Sequence, residues 1–209
     1  HQRPWLLLLE AAPGQPEVAG MNTFMTQDLQ WVASRPITDI VRLRAESYPQ
    51  FSHGPRTATP ALRAMKALPP GLNPRTMALA QQMRADPALA TGGTQALVDA
   101  TLRHLRTGGY EYTLEPGVYG EHTADEFWFD RKAGFCEHIA SAFVVLMRAM
   151  DVPARIVTGY QGGERNPVDG YWTVRQSDAH AWTEVWIEGR GWVRVDPTGA
   201  VSPGRIGQF

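Results

Sequence analysis

Residues 131–150, "RKAGFCEHIASAFVVLMRAM", hold the chain's single cysteine, Cys136, and decide how the rest is read. Counting from Cys136, Ala140, Phe143, Val144 and Met147 recur at i+4, i+7, i+8 and i+11, on the thiol's face of a helix. Ile139, Ala142, Val145, Leu146 and Met150 fill most of the remaining circumference, and a helix apolar all round is a buried one. Cys136 is therefore expected at the N-terminus of a core helix. Free N–H groups there carry about half a positive charge, favour thiolate over thiol and can hold an oxyanion. Gly134, just before it, is expected to let a substrate approach the backbone. A lone cysteine is otherwise a small buried hydrophobe, so the catalytic reading needs partners for the sulfur.

A nucleophilic thiol needs a base, and the base needs a group that orients it. His180 is the best placed of six histidines. In "DAHAWTEVWIE" (178–188) a strand puts His180, Trp182, Glu184 and Trp186 on one side and Ala181, Thr183, Val185 and Ile187 on the other. The small and branched side suits packing on the central helix or on a sheet. "EVWIEGRGWVRVDP" (184–197) then reads as a hairpin. A loop of Glu188, Gly189 and Arg190 would pair Ile187 with Gly191 and Trp182 with Asp196. Asp196 then lies on His180's face, one diagonal step away, roughly 7–8 Å at the backbone. A loop one residue shorter or longer turns Asp196 to the opposite face. Asp178 and Glu184 are rival carboxylates. His138 falls roughly opposite Cys136 around the helix and reads as structural, while His53, His104 and His122 show no evident partners. Arg148 and Arg155 read as partners of carboxylates or helix-end carbonyls.

Around this centre the chain is ordered as helices, the cysteine helix and then strands, an α+β pattern. Residues 1–55 read as a partial β module, with short strand candidates in "RPWLLLLE" (3–10), "TQDLQWVASRPI" (26–37) and "TDIVRLRAES" (38–47). "YPQFSHGPRTATP" (48–60), with three prolines, is a boundary, and residues 56–209 form the second domain. "TPALRAMKAL" (59–68), "NPRTMALAQQMRA" (73–85) and "GTQALVDATLRHLRTGG" (93–109) read as helices. Asn73 is the expected N-cap of the second of these, with Pro74 at its first position. Leu97, Thr101, Leu102 and Leu105 form the stripe of the third. "YEYTLEP" (110–116) is a strand candidate. So are "PARIVTGYQ" (153–161), "GYWTVRQ" (170–176), "HAWTEVWIE" (180–188) and "GWVRVDP" (191–197), expected together in an antiparallel sheet.

Composition narrows the function. A formal charge of −1 over 209 residues provides no basic field for nucleic acid or an anionic membrane. No CxxC, HExxH or GxxxxGK[ST] occurs, which removes the common zinc, metalloprotease and P-loop readings. "WLLLL" (5–9) is far too short to span a bilayer. One cysteine allows no internal disulfide. His1 in place of Met reads as the start of a fragment or processed product, with any membrane segment outside it.

The stretches "GFCEHIASAFVVLMRAMDVPARIVTGY" (134–160) and "DAHAWTEVWIEGRGWVRVDPT" (178–198), in Cys…His…Asp order, resemble the transglutaminase-like superfamily, whose architecture is papain-like. "LPPGLNPRTMALAQQMRA" (68–85), "VRQSDAHAW" (174–182) and "AVSPGRI" (200–206) are similar to the bacterial inner-membrane TgpA group. The likeness is strong over 60–209 and weak over 1–59. It implies a papain-like core, with Cys136 on a buried central helix packed on an antiparallel sheet. It puts the nucleophile on Cys136, the general base on His180 and the orienting acid on Asp196. Animal members use a tryptophan for the oxyanion; Trp182 and Trp128 are the candidates here, with core or cleft wall as the other reading of each. Their calcium sites have no match, so neither metal nor other cofactor is expected. The implied activity joins a protein or peptide glutamine to a primary amine, without nucleic acid, in a periplasmic domain of a membrane-anchored protein. Hydrolysis by the same residues, as a cysteine peptidase or amidase, is the alternative. A non-catalytic peptide-binding module with a blocked cleft is the third reading.

Overall fold

The structure, a computed structural model, describes residues 3–205. His1 and Ile206, the last residue of "AVSPGRI", lie outside the described residues. The chain divides into two compact units, His1–Ser52 and His53–Phe209. Residues 53–55 go with the second unit. Trp192 N–H donates to His53 O and the Trp186 indole N–H to Pro55 O, each at 2.7 Å.

The first unit holds β1 (Trp5–Leu6), β2 (Glu17–Val18), β3 (Thr23–Met25), β4 (Trp31–Ala33) and β5 (Leu43–Arg44). β4 lies between β1 and β3, and β2 pairs with β5, all antiparallel. Its core is Leu6, Ala12 and Trp31, with the Trp31 indole donating to Ala12 O at 2.7 Å. The three expected strands are present but shrink to two or three residues, because so small a core buries at most two side chains of each, and Leu43 of β5 only in part. Leu7, Leu9 and Ile40 stay exposed.

The second unit starts with a 3₁₀ helix at Pro60–Lys66 in place of the α-helix expected in "TPALRAMKAL". Then come α1 (Pro74–Ala85), α2 (Pro87–Ala90), α3 (Gly93–Thr107) and β6 (Glu111–Tyr112). α4 (Thr123–Asp125) runs into a π-helical turn over Glu126–Arg131, and β7 (Ala133–Gly134) pairs in parallel with β6. α5 (Cys136–Ala149) carries the cysteine at its first position, with Ile139, Ala140, Phe143 and Met147 wholly buried. β8 (Ala154–Tyr160), β9 (Glu164–Arg165), β10 (Trp172–Thr173), β11 (Ala179–Ile187), β12 (Gly191–Val195) and α6 (Thr198–Val201) follow.

The sheet against α5 is antiparallel in the order β12-β11-β8, with Ala181, Thr183 and Val185 of β11 facing the core. Ile187 pairs with Gly191 across a three-residue loop, and Thr183 pairs with Val195, the register expected from the hairpin. Gly191 adopts φ +81°, and a Cβ there would fall 2.3 Å from His53 O. Only glycine fits. The strand expected in "GYWTVRQ" does not join this sheet: β10 pairs with β9 alone, and Trp172 and Thr173 stay exposed, with no apolar face to bury. On α3 the buried stripe is Val98, Thr101 and Leu105, with Leu97 and Leu102 beside it.

Asn73 stands at the N-cap of α1, but its φ is +53° and its side chain does not cap that helix. Its Oδ1 accepts instead from the backbone N–H groups of Ala124 (2.9 Å) and Asp125 (3.2 Å). Asp125 returns the favour: it accepts from Thr76 N–H (2.7 Å), the Thr76 hydroxyl (2.6 Å) and Arg75 N–H (3.0 Å). Two helices some fifty residues apart thus satisfy each other's free donors. Asp125→Ala strips three charge-assisted bonds from a buried site, and is expected to lower unfolding free energy by about 3 kcal/mol in urea denaturation. A loss below about 0.5 kcal/mol, the level of an ordinary surface substitution, would contradict the reciprocal cap.

Candidate active site

Three elements bring Cys136, His180 and Asp196 together. Cys136 opens α5 and is packed by Phe135, Ala140 and Ala181. His180 lies on β11 opposite Gly159 of β8, and Asp196 follows the last residue of β12. His180 Nε2 meets Asp196 Oδ2 at 2.7 Å, with the two side chains 10% and 9% exposed. The Cys136 thiol hydrogen-bonds to the same imidazole. With Nε2 engaged by the carboxylate, that bond falls to Nδ1. Asp196 Oδ1 accepts from Thr198 N–H at 3.2 Å, which fixes the carboxylate in turn. The rival carboxylates are spent elsewhere: Asp178 accepts from Arg175 N–H (2.7 Å) and Glu184 pairs with Arg155 (2.7 Å).

Burial works against charge on both reacting groups, and their contacts overcome it. For His180, desolvation lowers the pKa, but the hydrogen bonds and charges of Asp196 and Cys136 raise it from 6.5 to about 9. For Cys136, burial raises the pKa. The His180 hydrogen bond, a backbone hydrogen bond from Ala181 and the His180 charge outweigh it together with Glu137, leaving the thiol below its ordinary value. Both shifts favour the thiolate–imidazolium form of the pair over the neutral one. Sequence reasoning credited the helix terminus with this activation and missed the Ala181 backbone, which no side-chain pattern announces.

The remaining residues sort themselves by contact. Trp182 stacks beside His180, ring centroids 6.1 Å apart, with the Arg194 guanidinium 4.4 Å over its ring. Trp128 leaves the site: it is 1% exposed in the core, with its indole N–H donating to Ala142 O. Gly134 serves packing rather than substrate access, because a Cβ there would meet His138 Cβ at 2.6 Å. His138 lies between Phe135 and Tyr119. His104 and His122 do have partners: the Tyr110 hydroxyl (2.9 Å) and Asn73 N–H (3.0 Å). Arg148 donates to the Ala154 and Ala67 carbonyls. Among the described residues, no group of three or more His, Cys, Asp or Glu is placed to hold a metal ion, and no helix is long and apolar enough to cross a membrane.

Residues 78–197 match the family model of the transglutaminase-like superfamily, and the chain belongs to that family. Over 210 positions it is 40% identical to the protein-glutamine gamma-glutamyltransferase of Pseudomonas aeruginosa, covering 99% of this chain and 30% of that protein. It is 33% identical over 138 residues to the uncharacterized protein YebA of Bacillus subtilis, covering 63% of this chain and 18% of YebA. The chain thus spans less than a third of the curated relatives it matches. The crystal structure of the periplasmic domain of TgpA from P. aeruginosa bound to ethylmercury superposes with a TM-score of 0.88 at 38% identity, covering 100% of this chain and 72% of that one. A putative cysteine protease from Cytophaga hutchinsonii, at 16% identity and TM-score 0.53 over 95% of this chain and 72% of that one, shares the fold alone.

The ion pair predicts a two-step pH profile for alkylation of Cys136 by iodoacetamide. The rate is expected to rise through a pKa below that of a free thiol, about 8.5, and to change again near pH 9, where His180 gives up its proton. Because Asp196 raises the His180 pKa, Asp196→Ala moves the upper step to lower pH. A single step at the free-thiol value in the unaltered protein would show that no such pair exists.

Proposed function

We propose that this domain is a protein-glutamine gamma-glutamyltransferase working through a Cys136–His180–Asp196 triad. The observation that carries the reading is the hydrogen-bonded run from sulfur to imidazole to carboxylate, with its proton held on the imidazole. The thiolate attacks the γ-carboxamide carbon of a glutamine side chain. The Cys136 N–H, at the first position of α5 and outside the helix's own hydrogen bonding, faces the oxyanion. As the C–N bond breaks, imidazolium gives its proton to the departing ammonia, leaving a thioester and neutral His180. An incoming primary amine, such as a lysine side chain, then attacks the thioester. His180 takes its proton, the C–S bond breaks, and the isopeptide product leaves thiolate and imidazolium restored. Asp196 orients the imidazole and stabilises its cation throughout.

Water in place of the amine turns the same thioester into glutamate. The activated thiolate speaks against a purely binding module, which has no use for it. Likeness to the periplasmic domain of TgpA supports a periplasmic location, where envelope proteins and the amino groups of cell-wall peptides would be on offer as acceptors. Protease digestion of spheroplasts tests that location, and protection of the domain behind the inner membrane would exclude it.

The activity itself is tested with a labelled primary amine and a glutamine-bearing protein. The unaltered domain is expected to form adduct, and Cys136→Ala to lose the rate by about 10³-fold or more. Glutamate without adduct would make the domain a hydrolase.

A further inference from the structure

Between α5, β8 and α4 lies a cavity of about 400 Å³ that the acyl-transfer chemistry does not itself require; Cys136 and His180 do not line it. Two of its walls begin one residue from the reacting groups: Glu137 follows Cys136, and Ala181 follows His180. Ala181 also packs on Cys136 and hydrogen-bonds to its sulfur through the backbone. Ala181 is therefore a wall that the cavity shares with the sulfur's own packing.

Its construction differs from a packing gap. Ile156 of β8 pairs with Thr183, which is fully buried, and sits on the sheet face turned to α5, yet it is 44% exposed. Opposite it stand Ser141 and Ala142 of α5 and Ala124 of α4, side chains too small to cover it. Protein interiors are close-packed. An isoleucine left half open on the inward face of a sheet marks room for a side chain from another molecule. The far wall is aromatic: the His138 ring lies 4.4 Å from Phe135 and 4.7 Å from Tyr119, and burial keeps its pKa below the ordinary value, so it is neutral at pH 7. The only charge on the lining is the exposed Glu137 carboxylate at the rim. The second cavity at His180, walled by Gln161, Ser177 and Asp178, is polar and offers nothing to an apolar group.

We propose that the apolar cavity is a specificity subsite, taking a bulky apolar side chain, aromatic by preference, from the residue next to the reactive glutamine of the acyl donor. Neighbouring residues in a chain are about 3.8 Å apart at Cα, so the side chain beside a sulfur-bound glutamine is within reach of a cavity that begins at the shared Ala181 wall. The volume suits one large side chain rather than a folded ligand. The proposal rests on the acyl-transfer reading of Cys136.

The test uses fluorescent glutamine peptides with Phe, Leu, Gly or Asp directly before the glutamine in one series and directly after it in another. Binding is measured by anisotropy on Cys136→Ala protein, and turnover by amine incorporation on the unaltered protein. In one series Phe and Leu are expected to bind at least tenfold more tightly than Gly, with Asp weakest, and kcat/KM is expected to follow that order. Thr158→Trp, which fills the cavity from its exposed rim, should reduce the Phe-to-Gly ratio to within twofold. Ile156→Glu, which places a charge inside, should do the same, and thermal unfolding confirms that each variant folds. Equal binding across both series overturns the subsite, as does a preference that survives both variants. A preference intact on Cys136→Ala with no amine adduct from the unaltered protein keeps the subsite and overturns the transferase reading.

Discussion

A hydrogen bond of 2.7 Å between His180 Nε2 and Asp196 Oδ2 keeps a proton on an imidazole that its burial would otherwise strip. That proton, with the Ala181 backbone, holds the pKa of the buried Cys136 thiol below its ordinary value. Removing the carboxylate weakens both effects: His180 keeps only Cys136 to set against desolvation, and Cys136 keeps the Ala181 backbone and a weaker cation. The shift at the sulfur is therefore made in part at a distance from it, by a carboxylate just past β12 rather than on the helix that carries Cys136. Neither the helix terminus nor the histidine alone would supply it.

The carboxylate reaches the imidazole only because β11 and β12 are in one register, and that register rests on a turn. Ile187 faces Gly191 across three loop residues, and Gly191 has no room for a side chain, since His53 O occupies the space. Trp192 N–H donates to that same carbonyl at 2.7 Å, so the segment at 53–55 clamps the start of β12. A slip of one position would reverse the side of every residue on the strand. Thr183, fully buried, adds a second lock by donating its hydroxyl to Val195 O at 2.6 Å, one residue before Asp196.

Much of this is legible in the sequence because the forces are local or periodic. The run of apolar residues after Cys136 can be buried in only one way, and the loop at 188–190 admits few registers, so α5 and the Asp196 position follow from counting. What escapes is set by contacts distant in sequence. Asn73 looks like an ordinary N-cap, yet its side chain serves Ala124 and Asp125, because Asp125 arrives from fifty residues away to cap α1 itself. Trp128 and Trp182 are equally aromatic and equally plausible beside a cleft; only burial and the Ala142 carbonyl separate them. "GYWTVRQ" alternates like a sheet strand but meets no apolar layer, and periodicity cannot report an absent partner. Gly134 invites a functional reading when its real neighbour is the His138 ring, four residues ahead on the next turn of helix.

Helix α5 joins these demands in one segment. Its Phe143 and Met147 side fixes the helix in the core, and the first turn holds the sulfur against β11. Ser141 and Ala142 keep a third side low, so that the sheet's Ile156 remains partly open. A larger residue at Ser141 would narrow the cavity. A helix built only for stability would have filled that space. The retained gap begins one residue along the chain from Cys136 and from His180, at Glu137 and Ala181, and the stability forgone there is supplied by the densely buried opposite side.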